Sequence, residues 1–184
     1  MLPDMIFFTG VPGSRWSGIA QEIKQNPKFN STDRTSDRKY LHGEYSGHID
    51  AYFGTGMEFP ANPADGGLNQ ANLNRPFSRW GKSAGCKLLM SHEWPYYFDE
   101  IIEIYPKEWI QLVYRNDLKS FLWWKQAGGF DITYPNYDWF KDDETMMARI
   151  EELNHLILDF AQKRNLTWIQ HHKHNDIFIT TYKP

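Results

Sequence analysis

The chain has 184 residues, of which 41% are hydrophobic and 23% are charged, values that are ordinary for a single globular domain. Its formal net charge of −3 excludes the overall basic field that draws proteins onto nucleic acids or anionic membranes. The single cysteine, Cys86, excludes an internal disulfide framework and a zinc site built from several cysteines.

No segment of the sequence is typical of a membrane protein or a secreted protein. No stretch approaches the roughly 20 apolar residues that span a bilayer. The first ten residues lack the basic start and the long apolar run of a signal peptide. We therefore expect a cytoplasmic protein with neither a nucleic-acid nor a membrane partner. The sequence does not indicate an oligomeric state.

The chain begins with the pattern of a strand, a turn and a helix. Met5 to Val11 is an apolar run typical of a fully buried strand, and Gly10 to Ser14 interrupts it. A helix is predicted next and should end before Pro27. Its apolar face carries Trp16, Ile19, Ala20 and Ile23.

The region from about residue 28 to residue 85 has no interpretable period. It is rich in Asn, Asp, Gly, Ser and Pro. So long an irregular stretch inside one domain is uncommon unless it has a function. We predict a substrate-side excursion that contains short helices.

Regular patterns return after residue 85 and alternate between strands and helices. The longest predicted helix repeats apolar residues every three or four positions and can be capped by Asp142 or Asp143. The predicted elements are strand Lys87–Met90, helix Trp94–Tyr105, strand Trp109–Tyr114, helix Asp117–Gln126, helix Glu144–Arg164, and strands Leu166–His171 and Ile177–Thr181.

Strands that alternate with helices predict a parallel sheet covered on both faces. We therefore expect one α/β domain over residues 1–184. The expected architecture is a P-loop-like, three-layer domain with a central, mainly parallel sheet flanked by helices. In such sheets ligands bind outside the carboxyl ends of the strands, so the residues that follow strands are the first candidates for a site.

The first candidate is the segment from Gly10 to Ser17, which we call the glycine turn. Its backbone amides, the positive end of the helix dipole, two hydroxyls and Arg15 would suit a phosphate or sulfate. It is not a Walker A loop, because Arg15 and Trp16 stand where that motif has Gly and Lys. The competing interpretation is an ordinary tight turn in which Ser14 caps the helix.

Two other segments place polar residues at strand ends, and together with the glycine turn they carry a family resemblance. Pro12, Ser14 and Ser17 match the loop of PAPS-dependent sulfotransferases that runs roughly x-Pro-(Lys/Arg)-Ser-Gly-Thr-Thr. The stretch around Ser91-His92, a helix, and the strand ending in Arg115-Asn116 resemble that family's segment around its catalytic His. The resemblance covers residues 1–26 and about 87–126. The loop also resembles small sulfotransferase-like proteins carried by marine cyanobacterial phages.

The resemblance implies a function and a set of roles. It implies transfer of a sulfuryl group from PAPS, which leaves PAP (adenosine 3',5'-bisphosphate), to a hydroxyl or amine of a small-molecule or glycan-type acceptor, with no metal required. His92 would be the general base and Arg15 the catalytic cation. The cofactor-binding residues implied are Gly10, Pro12, Gly13, Ser14, Arg15, Trp16, Ser17, Gly18, Arg115 and Ser120.

Several positions depart from the family pattern, and two other hypotheses remain. Gly13 stands in place of the catalytic Lys or Arg, Met90 in place of a Lys, and Trp123 in place of a phosphate-binding Ser. These departures favour a nucleotide-binding module with weak or no catalysis. A P-loop kinase is the third hypothesis, and the absence of Gly-Lys-Ser/Thr counts against it.

Other polar residues fit structural roles better. His42 and His48, with Glu44 and Asp50, lie in the irregular region and are expected to be solvated. Metal binding by the cluster of His171, His172 and His174 would need converging geometry that a sequence does not show, and we expect no metal there. Trp123 and Trp124 are expected to serve the core and its rim, with adenine stacking as the alternative.

Overall fold

The computed structural model describes residues 2–30, 39–42, 45–49, 67–74, 85–131 and 141–184. Most of the predicted excursion, 28–85, lies outside these ranges. Within it the structure gives strand β2 (Phe29–Asn30), a hairpin of β3 (Lys39–His42) and β4 (Tyr45–Ile49), and the short helix α2 (Gln70–Asn74).

The predicted alternation of strands and helices is confirmed in the rest of the described chain. A 3₁₀ turn, Trp94–Tyr97, begins the segment that was predicted as one helix from Trp94 to Tyr105. The elements are β1 (Met5–Gly10), α1 (Trp16–Ile23), β5 (Cys86–Met90), α3 (Phe98–Ile104), β6 (Trp109–Arg115), α4 (Asp117–Gln126), α5 (Asp143–Lys163), β7 (Ile169–His171) and β8 (His174–Tyr182).

The described strands form a sheet in the order β2-β5-β1-β6-β8-β7. The first four of these strands are parallel, and β1 lies between β5 and β6. In the register, Phe7 of β1 lies between Leu89 of β5 and Ile110 of β6. Strand β1 is buried along its whole length, as expected for the centre of a parallel sheet.

The two faces of β1 enter two different cores. Met5 and Phe7 pack with residues of α3 and α5, whereas Ile6 and Phe8 pack with the apolar face of α1. This division follows from the period of two in a strand, which sends successive side chains to opposite faces of the sheet. Helices therefore cover both faces, and the predicted α/β class is confirmed.

Helix α5 is anchored by its cap and by its apolar face. Asp142, and not Asp143, is the cap: its side chain accepts from the Thr145 amide, and the Thr145 hydroxyl lies close to the Asp142 amide. Residues at the predicted spacing are buried against the sheet, namely Met146, Ile150, Leu153, Ile157 and Phe160.

The prediction of a mainly parallel sheet is confirmed at the centre of the sheet, whereas its last two strands run antiparallel. Strand β8 is antiparallel to both β6 and β7. The reason is that only residues 172 and 173 join β7 to β8, and so short a turn can connect only antiparallel strands. Strand β7 therefore lies at the edge of the sheet, and β8 fills the place between it and β6.

No helix among the described residues is both long enough and apolar enough to cross a bilayer.

Candidate functional site

The carboxyl ends of β1 and β6 meet at a topological switch point. The two strands are neighbours in the sheet, yet the chain leaves β1 into α1 on one face and leaves β6 into α4 on the other. Connections that diverge in this way open a crevice above the strand ends, which is where ligands bind in open α/β sheets. The glycine turn and Arg115 lie at this crevice, as the sequence predicted.

The glycine turn is a tight turn closed by Ser14. Both the amide and the hydroxyl of Ser14 donate to the carbonyl of Val11, at 3.1 Å and 2.7 Å. The alternative in which Ser14 caps the helix was therefore wrong. The cap position of α1 is Arg15, which adopts a left-handed conformation with φ of 63° and makes no side-chain cap bond. The first-turn amides of Ser17 and Gly18 are thus not capped by the side chain at that position.

Gly13 is the point at which the turn touches α4. Its φ is +76°, and a Cβ built there would lie 1.9 Å from the Ser120 carbonyl oxygen. A residue with a side chain at position 13 would therefore be strained in its backbone and would collide with α4. The Lys or Arg that the family has at this position does not fit the backbone of this chain.

Arg115 fastens the end of β6 to the turn. Its Nη1 donates to the Gly13 carbonyl at 3.2 Å, while its Nε and Nη2 lie 2.9 Å and 2.8 Å from Oδ2 of Asp176 on β8. The side chain is 12% exposed. Arg115, a predicted cofactor-binding residue, is therefore held in a half-buried ion pair.

Asp176 is a residue of the site that the sequence analysis missed. Burial by itself would raise the pKa of its carboxyl group, but the hydrogen bond and the charge of Arg115 outweigh this effect, and the pKa lies below its ordinary value. Lys119 adds positive charge 4.0 Å from the same oxygen. No sequence motif marked Asp176, because its partner lies 61 positions away.

Arg15 and Arg115 meet at the ring of Trp123. The guanidinium carbons lie 4.3 Å and 5.7 Å from the centre of that ring. Stacking on the ring face holds each cation beside the turn by cation–π attraction. Trp123, which departs from the family pattern, thus lies against both arginines of the candidate site.

His92 lies under the turn and is 5% exposed. Its Nδ1 is 2.5 Å from the Gly10 carbonyl oxygen, and its ring lies 4.4 Å from that of Trp16. A carbonyl oxygen only accepts hydrogen bonds, so Nδ1 of His92 carries a proton in this contact.

The segment that carries His92 is fixed by its neighbours. The Trp94 indole donates to the Leu89 carbonyl at 2.7 Å, and the Glu93 amide donates to the Ser91 hydroxyl at 3.0 Å. The Glu93 carboxylate pairs with Arg149 of α5. Burial raises the pKa of Glu93 in spite of this partner. The position of His92 is therefore set by both strand β5 and helix α5.

The remaining predicted binding residues take several positions. Pro12 and Ser120 are buried, and the Ser120 hydroxyl donates to the Arg115 carbonyl at 3.2 Å. Asn154 of α5, which the sequence analysis also missed, donates to the same carbonyl at 2.9 Å. Ser17 is half-buried and Gly18 is exposed. His42, Glu44, His48 and Asp50 lie outside the residues whose side chains the structure describes.

Comparison with known proteins gives no relative: no protein-family model, curated protein or solved structure matches this chain. The interpretation of the site therefore depends on its own geometry and chemistry.

We predict that Gly13→Ala lowers the free energy of unfolding by more than about 1–2 kcal/mol, the usual cost of a left-handed conformation for a residue with a side chain, because the new methyl group also meets Ser120. Gly18→Ala is the matched control, since nothing lies within 4 Å of a Cβ built there. In helix α1 this change should raise stability by about 0.5–1 kcal/mol. Urea denaturation measures both, and equal effects would contradict the proposed close approach.

We also predict that the Arg115–Asp176 pair makes stability depend on acidic pH. Because the folded-state pKa of Asp176 is lowered, the pair contributes stability above the unfolded-state pKa of about 3.9, and loses it as the pH falls below that value towards the folded-state pKa. Asp176→Asn should therefore destabilise the protein near neutral pH, and the difference from the wild type should vanish in strong acid.

Denaturation curves at several pH values test this expectation. Asp159→Asn is the control, because it removes a more exposed carboxylate whose partner is Lys163 on the surface of α5. Such surface pairs contribute little. A destabilisation by Asp176→Asn that persists unchanged in acid would mean that the carboxylate charge is not responsible.

Proposed function

We propose that this chain binds PAPS, and its product PAP, beside the glycine turn at the carboxyl ends of β1 and β6, and that it transfers the sulfuryl group to an acceptor hydroxyl or amine. One observation carries the proposal. His92, which follows β5, and Arg115, which ends β6, both hydrogen-bond to carbonyl groups of the glycine turn. Three segments that resemble parts of a sulfotransferase site in sequence are therefore adjacent in space.

The local charge supports an anionic ligand. The chain carries a net charge of −3, yet Arg15 and Arg115 meet at Trp123 beside the turn. Lys119 adds a third cation near Asp176, the partner of Arg115. A guanidinium that binds a carboxylate through two N–H groups has the geometry that also suits a phosphate. The proposal is that a ligand phosphate takes the place of Asp176 on Arg115.

The arrangement of elements supports a P-loop-like three-layer domain. The glycine turn follows the central strand β1 and leads into α1, and helices cover both faces of the sheet. A phosphate over the turn would face the first-turn amides of α1 and the positive end of its dipole.

The reaction needs a base and positive charge. The acceptor oxygen attacks the sulfur of PAPS and forms a new S–O bond, while the bond from sulfur to the bridging 5'-phosphate oxygen breaks and PAP leaves with that electron pair. Nε2 of His92 would take the acceptor proton. Arg15 would stabilise the charge on the leaving phosphate, since Gly13 cannot carry the cation that the family places there.

A binding module without catalysis is the second candidate, and the burial of His92 favours it. A histidine that is 5% exposed and packed on Trp16 also suits a purely structural role. Binding of PAP is common to both candidates, whereas turnover of PAPS belongs to the first alone. A kinase would instead prefer ATP with Mg²⁺ over PAP.

We predict that PAP binds and stabilises the fold by about 2.7 kcal/mol at 100 times its dissociation constant. Arg15→Ala should weaken PAP binding at least about tenfold, in keeping with the loss of a charge-assisted contact. Arg164→Ala is the control, because Arg164 also stacks on aromatic rings but at the end of α5. Calorimetry with PAP, and with ATP and Mg²⁺, measures these affinities.

Two results would contradict nucleotide binding at this crevice. One is a melting temperature that millimolar PAP leaves unchanged. The other is an equal loss of PAP affinity in Arg15→Ala and Arg164→Ala. Tighter binding of ATP with Mg²⁺ than of PAP would favour the kinase instead.

We predict that His92→Asn lowers sulfuryl transfer by about 10²–10⁴-fold and leaves PAP affinity within about threefold. The asparagine amide can still donate to the Gly10 carbonyl, so the variant should fold, but it has no basic nitrogen. The wild-type rate should also fall as acid protonates the imidazole, because an imidazolium cannot accept the proton. A radiolabelled-PAPS assay over a pH series measures both.

The control is His155→Asn, which changes an exposed histidine of α5. If His92→Asn turns over PAPS at the wild-type rate with the same pH profile, His92 is not the base. If the wild type binds PAP but transfers no sulfuryl group to any acceptor tried, the binding module replaces the enzyme as the function.

A further inference from the structure

A second cluster of polar side chains lies at the other end of α1. It joins Glu22 of α1 to His171, at the end of β7, and to His172, in the turn before β8. One potential ligand atom from each of the three residues lies within 4.8 Å of the other two. Glu22 is seven positions after Arg15, about 10 Å along a helix, so the cluster is separate from the proposed nucleotide site.

The distances fit a small divalent ion. Oε2 of Glu22 is 3.5 Å from Nε2 of His171 and 3.9 Å from Nε2 of His172. A tetrahedral ion with bonds of about 2.0–2.1 Å requires ligand atoms about 3.3 Å apart. The two distances from Glu22 exceed this spacing by about 0.2 Å and 0.6 Å, and all three ligand atoms lie within 4.8 Å of one another.

One histidine of the cluster is buried and the other is exposed to solvent. The His171 side chain is 5% exposed, whereas that of His172 is 68% exposed. His174 stacks on the His171 ring with 5.3 Å between centroids and holds it from behind. An ion could therefore enter from solvent past His172 onto a preformed pair.

We propose that Glu22, His171 and His172 form a binding site for a divalent transition metal such as Zn²⁺, with water completing its coordination. Two imidazoles and one carboxylate form a donor set that suits zinc and its first-row neighbours, whereas Ca²⁺ and Mg²⁺ prefer sites made of oxygen alone. The ion would join α1 to the β7–β8 hairpin, which otherwise meet here through side-chain contacts to Glu22.

Lys173 occupies part of this site when no metal is bound. Its ammonium group is 3.0 Å from Oε1 of Glu22, and this hydrogen bond is the main reason why the pKa of Glu22 is lowered. Its amide also donates to Nδ1 of His171 at 3.3 Å. A metal on Nε2 leaves the imidazole proton on Nδ1, so binding requires this long contact to break. Lys173 is therefore a competitor of the metal.

The test is calorimetric titration of the chelator-treated full chain with Zn²⁺, together with the visible absorption of Co²⁺, which reports tetrahedral coordination. We expect one ion per chain and a raised melting temperature. His172→Ala should weaken binding at least about tenfold and remain folded, because it changes an exposed residue. His155→Ala, an exposed histidine of α5, should leave the affinity unchanged.

Two further variants examine the carboxylate and its competitor. Glu22→Gln removes the anionic ligand and should weaken binding at least about tenfold, whereas Lys173→Met removes the competing cation and should strengthen it. Absence of binding at millimolar Zn²⁺ would overturn the site. So would an affinity that His172→Ala leaves unchanged, or one that Lys173→Met fails to raise.

Discussion

The packing of the glycine turn against α4 is the constraint on which the site depends. Because residue 13 has no side chain, its backbone reaches the Ser120 carbonyl, and this close approach brings the turn within reach of Arg115. The turn's carbonyl groups then act as acceptors: Gly10 accepts from His92 and Gly13 from Arg115. A peptide plane points its carbonyl and the next amide in opposite directions. Carbonyls that face His92 and Arg115 therefore turn the following amides away from those two side chains.

The pair of Arg115 and Asp176 places a carboxylate beside the cations at the end of β6. A guanidinium that is 12% exposed must have a partner, because an unpaired buried charge is strongly destabilising. Asp176 provides that partner, and the remaining cations keep the surroundings positive. The same pair would oppose ligand binding. The contact between a phosphate and Arg115 would have to be at least as favourable in free energy as the carboxylate contact that it replaces. Under the proposed function, the affinity for an anion would therefore depend on the difference between two charge-assisted contacts.

Local patterns in the sequence were sufficient for most of the elements. The apolar run from Met5 predicted β1, because a strand buried on both faces is apolar throughout. The repeat from Met146 to Phe160 predicted α5, because burial of one helix face places apolar residues three or four positions apart in the sequence. The meeting of the three candidate segments also followed, since parallel strands share one carboxyl edge. These predictions needed only residues that are close in sequence or a general rule of sheet topology.

The predictions that were wrong or missing depended on pairings that no sequence pattern identifies, whether the partner is near in the chain or distant. The direction of β8 is set by its hairpin with β7, and apolar alternation is the same in parallel and antiparallel strands. Ser14 has the residue type and position of a helix cap, but its hydroxyl donates a hydrogen bond to the Val11 carbonyl instead. Asp176 and Glu22 were identified only from their contacts in the structure, with Arg115 and His171 respectively. A sequence shows which side chains could pair, but the fold decides which of them do.

Helix α1 connects the two sites that the structure suggests. Its first two residues belong to the glycine turn, and Glu22 near its other end meets the β7–β8 hairpin. Strand β8 carries Asp176, the partner of Arg115, two positions after His174. An ion at the histidine cluster would therefore restrain both α1 and the hairpin that presents Asp176. Any effect of that ion on anion affinity would have to pass through these two rigid elements, and reciprocity requires that a bound anion alter the metal affinity by the same factor.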